Sequence, residues 1–186
     1  MKYTSKSKIP RRIFLRSGSG LMLGSYLSAK TSQHNETQKK PVLLEELTDK
    51  EKVWVGQSDM AKNLDGYFGE GYSCAESILI ISLRHLKLPE ECVWAAAGFG
   101  GGLYHRDLCG FLTGGIMALG FQAGQLEKDR TEAKAVCADK IEEYWKWWQT
   151  TAPLECKDIR PPGSSSNICS RLGKLSTAKV NSLLIV

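Results

Sequence analysis

Residues 73–86 read SCAESILIISLRHL, and this stretch decides the fold class. Ser73 is followed three residues later by Glu76, the spacing of a capping box, in which two side chains satisfy free backbone N–H groups at a helix start. Ala75, Ile78, Leu79, Ser82 and Leu86 then recur at helical intervals, so a helix over 73–86 carries one apolar or small stripe. Upstream, proline is absent from Val42 to Leu88, and Val53, Val55, Met60, Leu64 and Phe68 keep the same spacing. They predict a helix over 48–69, broken by Gly69-Glu70-Gly71. Downstream, Pro89 suits the first turn of a short helix through Ala97, which Gly98-Phe99-Gly100-Gly101-Gly102 closes.

Beyond that glycine turn, Asp107 is the predicted cap of an uncharged helix from Leu108 to Leu126. Its glycines at 110, 114, 115, 120 and 124 lower helix propensity, which is tolerable where a neighbouring backbone comes close. Gly110 shares a face with Gly114, and Gly120 with Gly124. The same spacing marks transmembrane dimers, but the run is shorter than the roughly 20 residues that span a bilayer. A charged helix over 128–149 follows, with Ala133, Cys137, Ile141, Tyr144, Trp145 and Trp148 as its apolar stripe. Trp147 falls off that stripe and marks a candidate partner surface. Pro161-Pro162-Gly163 interrupts the last segment, and helix resumes from Ser165. Strand signals are scarce, so the expected fold is all-α: one compact domain of about five to six helices over 47–186.

The 186 residues are 42% hydrophobic and 24% charged, as in an ordinary globular domain, which argues against collagen, disorder and a multi-pass membrane protein. The formal charge of +5 is local. Lys2, Lys6, Lys8, Arg11, Arg12 and Arg16 fall within 1–29 with no acid, so 19 of the 25 basic residues face 20 acidic ones in the rest, a net of −1. A nucleic-acid reading therefore fails. Pro10-Arg11-Arg12-Ile13-Phe14-Leu15-Arg16, then an uncharged Ser17–Ala29, has the anatomy of an export signal. Arg11-Arg12 with Ile-Phe-Leu resembles the twin-arginine motif, and Gly18, Gly20 and Gly24 keep the stretch weakly hydrophobic. That resemblance implies passage of a folded protein through the twin-arginine translocase, often after cofactor insertion, to the periplasm or beyond. Leu27-Ser28-Ala29 is an imperfect cleavage site, so a leader retained as a membrane anchor stays open. Residues 30–46 read as a polar linker.

Six cysteines stand at 74, 92, 109, 137, 156 and 169. None forms a C-x-x-C, a haem-attaching C-x-x-C-H or a zinc knuckle. Cys92, beside Ala95, Ala96 and Phe99, and Cys137, within an apolar stripe, read as small core residues. Cys74 and Cys109 fall at predicted first turns, where free N–H groups and the helix dipole favour a thiolate. Cys156 and Cys169 flank the irregular segment Arg160-Pro161-Pro162-Gly163-Ser164.

Ser73-Cys74-Ala75-Glu76, Ala97-Gly98-Phe99-Gly100-Gly101-Gly102, Cys109-Gly110-Phe111-Leu112-Thr113-Gly114, Cys156 and Cys169, in that order, resemble the redox-active family named for its C_GCAxxG_C_C pattern. The resemblance covers about residues 55–175 and maps the family cysteines onto Cys74, Cys109, Cys156 and Cys169. Phe111 departs from it, standing where the family usually has alanine. The family also resembles part of the split-Soret cytochromes, whose cysteines imply an iron–sulfur centre. Haem is not carried over, for want of C-x-x-C-H.

The leading expectation is an exported electron carrier in which those four cysteines hold an iron–sulfur cluster, two-iron favoured over four-iron, and serve a redox partner protein. The same cysteines could instead run thiol–disulfide chemistry or act as structural disulfides, with Cys156 and Cys169 as the shortest bridge across 12 intervening residues. A tetrathiolate zinc site is a third reading. His105, four residues before Cys109, is a candidate ligand or an ordinary loop histidine; His85 is a helix-end residue. No phosphate loop and no serine–histidine–acid constellation is found, and a homodimer is allowed.

Overall fold

The computed structural model describes residues 43–184. The leader over 1–29 with Arg11 and Arg12, and residues 30–42 of the linker, lie outside the described residues. Within them the fold is all-α, as expected, with eight α-helices: α1 Asp49–Gly56, α2 Asp59–Lys62, α3 Leu64–Gly69, α4 Cys74–Leu86, α5 Gly110–Leu126, α6 Arg130–Thr151, α7 Cys156–Ile159 and α8 Asn167–Leu184. None of these is long and apolar enough to cross a membrane.

The capping box that fixed the reading is present. The Ser73 amide donates to Glu76 Oε2 at 3.0 Å, the Glu76 amide donates to Ser73 Oγ, and α4 starts at Cys74. The single helix predicted over 48–69 is instead three. Ser58 breaks it by accepting the Ala61 amide as the cap of α2 while donating to Asn181 on α8 at 2.8 Å. A second capping box, Thr48 with Glu51, opens α1, and the Glu51 carboxylate also receives the buried Arg171 guanidinium from α8. The segment after Pro89 is a 3-10 helix over Glu90–Phe99. Asp107 does not cap α5. Cys109 takes that place, because the Asp107 carbonyl is engaged by the Cys156 amide at 2.6 Å.

Gly110 and Gly114 let α5 meet α4 backbone to backbone. A methyl on Gly114 would stand 2.4 Å from the Ala75 carbonyl oxygen, and one on Gly110 would stand 2.9 Å from the Ala75 nitrogen and 3.0 Å from Cys74 Cβ. On another side Tyr144 of α6 covers Gly115 and donates to the Phe111 carbonyl at 3.0 Å. α8 completes the core with Leu172, Leu175 and Val180, its Gly173 set against Leu64 and Phe111. Each fully buried aliphatic side chain stabilises such a core by about 1.5–3 kcal/mol.

Two assignments on the periphery change. Trp147 is half-buried, stacked on Tyr144 at 5.6 Å and met edge-on by Trp54 at 6.1 Å, so it belongs to the packing and not to an open partner face. Cys92 and Cys137 are half-buried, whereas Cys109, at 5% exposure, is the most enclosed of the six. A place on a helical stripe gives the direction a side chain faces, not the depth of what covers it.

Candidate functional site

All four cysteines of the quoted pattern stand where helices begin. Cys74 is the first residue of α4, Cys109 the cap of α5, Cys156 the first residue of α7 and Cys169 the third residue of α8. Cys137 lies in the middle of α6, and Cys92 is the third residue of the 3-10 helix. First-turn backbone N–H groups lack intrahelical partners and carry partial positive charge, so these positions suit sulfur that bears negative charge.

Three devices bring the starts together. The glycine seam sets Cys74 beside the first turn of α5. An antiparallel bridge between Leu108 and Glu155, closed by the Cys109 amide on the Leu154 carbonyl at 2.9 Å and by the Cys156 amide on Asp107, joins the second pair. In that register Cys109 and Cys156 are diagonal neighbours on one side of the bridge. The third device is the turn after the 3-10 helix. Gly101, Gly102, Leu103 and Tyr104 all hold φ between +57° and +70°, a left-handed run that costs residues other than glycine about 1–2 kcal/mol each. It is tied down by the Asp107 amide on the Gly102 carbonyl and by the Tyr104 hydroxyl on Ala97. Only glycine fits at 102, where a methyl would stand 2.7 Å from Cys156 Cβ. The glycine run thus brings backbone up to the site, at Cys156 more directly than at Cys109.

Electrostatics ties the four thiols into one group. Burial pushes Cys74 up to about 12, and the nearby charges of Cys169 and Cys156 push the same way. Burial drives Cys109 further, with Cys74 and Cys156 adding; the Phe111 and Leu112 amides face its sulfur and oppose the rise without closing a full capping hydrogen bond. Cys169 is raised by burial and by Cys156, against the Arg160 guanidinium beside it. Cys137 is raised by burial alone, with no thiol partner. Without a ligand the enclosed thiols keep their protons, and loading a metal must release them.

Among the described residues no three His, Cys, Asp or Glu side chains are already gathered closely enough to hold a metal ion. Bringing the four sulfurs onto one point would therefore require side-chain movement. His105 is exposed on the left-handed turn. The residue that sequence reasoning missed is Arg160, taken there as part of an irregular segment. No local signal marked it, because its place beside Cys169 is set by the fold.

A family described as Putative redox-active protein (C_GCAxxG_C_C) matches the chain over residues 72–182. No curated protein matches, and no solved structure does.

Proposed function

We propose, from the premise that the chain belongs to the C_GCAxxG_C_C family of redox-active proteins, that it carries electrons through an iron–sulfur cluster held by Cys74, Cys109, Cys156 and Cys169. The observation behind this is the placement of those four cysteines at helix starts within reach of one another's charge. When bound, such a cluster supplies reversible one-electron chemistry, and four thiolates are its usual ligand set. The two-iron form is favoured. The chain's own part is to hold and shield. Cys109 is closed from water by the α4–α5 seam, the amides of Phe111 and Leu112 face its sulfur, and Arg160 offsets negative charge at Cys169. Hydrogen bonds and charge at the sulfurs are what set the potential of such centres.

The partner is a separate redox protein, and the leader makes the chain an exported one, folded and loaded before the twin-arginine translocase moves it. The mature chain purified without oxygen should be brown and contain iron and sulfide. A colourless protein with zinc, or with no metal and oxidised thiols, would overturn the cluster.

One observation favours a second reading. Both Cys74 and Cys169 are raised by burial, Cys74 to about 12, and the Arg160 guanidinium beside Cys169 opposes the rise there, which would make Cys169 the attacking and Cys74 the resolving thiol of a thiol–disulfide pair. Metal-free protein in which one disulfide forms and breaks reversibly would support that reading.

A further inference from the structure

Cys74 and Cys169 share the wall of an open cleft of about 490 Å³, lined also by Phe68, Tyr72, Ser166 and Arg160. That volume falls in the roughly 300–1,000 Å³ range of small-molecule sites, and a largely apolar wall with a few fixed polar groups is their common make-up. The charges in the wall are unequal in availability. Asp65 also lines the cleft, but its carboxylate is occupied by Lys174 at 2.5 Å and by the Ser170 hydroxyl at 2.8 Å. Arg160 forms no salt bridge among the described residues; its guanidinium lies against Cys169 and keeps further N–H donors for a ligand. Its backbone is fixed, because its carbonyl accepts from the Arg106 guanidinium and its amide donates to the Cys156 carbonyl at 2.9 Å.

We propose that this cleft binds a small organic monoanion, its carboxylate on Arg160 and its planar apolar body against Phe68 and Tyr72, within reach of Cys74 and Cys169. A guanidinium recognises a carboxylate through paired N–H donors, and aromatic walls reward a flat body. With Arg160 the one available cation among the described residues of the wall, and Asp65 nearby, multiply charged anions such as phosphate esters are disfavoured. A cation would meet Arg160 and be repelled, and a neutral molecule would leave the guanidinium without a partner. That this ligand is also the electron donor or acceptor rests on the function proposed above; its binding does not.

Benzoate, benzamide and benzylamine, three probes of one shape and different charge, should be titrated by calorimetry into the mature chain as purified, with iron and sulfide measured on the same samples. Benzoate should bind at least about tenfold more tightly than either of the others. Arg160→Gln should remove the preference and Arg160→Lys should keep part of it, with circular dichroism confirming that both variants fold. Equal binding of benzoate and benzamide, no benzoate binding at all, or a preference unchanged in Arg160→Gln would each overturn the cleft. The two proposals fail separately: benzoate binding to iron-free protein removes the cluster alone, and iron-loaded protein indifferent to benzoate removes the cleft alone.

Discussion

The two halves of α5 carry the same sequence device and put it to different use. Gly110 and Gly114 at its beginning, and Gly120 and Gly124 near its end, are each spaced by four on one helix. The first pair is pressed onto α4, with no room for a methyl. In the second, Gly120 has only Cys137 Sγ near it at 4.0 Å, and Gly124 has nothing within 4 Å. The cysteines divide likewise: Cys109 at the tight end lies within a group of thiols, and Cys137 at the loose end stands apart. Spacing identifies a shared face. Whether that face is an interface depends on what the rest of the chain brings to it.

The strongest way to break this contrast is to exchange one thiol at each end. Cys109→Ser should lower bound iron and sulfide per protein by at least about tenfold, since losing a ligand costs more than losing a group that merely orients one, while Cys137→Ser should leave both unchanged. Equal loss in the two variants would mean that the halves do not differ in function. Next comes packing. Gly114→Ala should destabilise the protein by about 1–3 kcal/mol in urea unfolding, because the helices must separate against an otherwise close-packed core.

A different test of the contrast uses pH in the reduced, metal-free protein. Cys74 and Cys109 hold their protons more tightly folded than unfolded, so their contribution is complete below the ordinary thiol value of 9.0 and is lost as pH rises toward about 12. Stability should fall progressively across that window. Cys109→Ser should reduce the slope more than Cys137→Ser, as read from urea midpoints at successive pH values. The smallest effect has the opposite sign. Gly124→Ala should stabilise by about 0.5–1 kcal/mol, the ordinary gain of replacing an exposed helical glycine.

What the sequence made legible is what local chemistry decides. The Ser73–Glu76 box, the shared face of Gly110 and Gly114 and the resumption of helix near Ser165 follow from neighbours within a few residues. The failures have distant causes. The break at Ser58 is held by Asn181, the displacement of Asp107 from its cap is fixed by Cys156, and Trp147 is covered by Trp54 from α1. The four cysteines of the family pattern could be singled out by their order and flanking residues, and the family match covers all four. The order of burial among the six was not legible, nor was the place of Arg160, since both depend on which surfaces the fold brings together.

The bridge between Leu108 and Glu155 also gives the site a history. Cys74 and Cys109 meet through consecutive long helices, whereas Cys156 can reach Cys109 only after the whole of α6 has folded back to close a long loop. Contacts between distant parts of a chain form later than local ones. In pulse alkylation during refolding, Cys74 and Cys109 should therefore become protected before Cys156. If those cysteines hold a cofactor as proposed, it would meet two ligands early and the full set last, and its capture would then be a late checkpoint on complete folding.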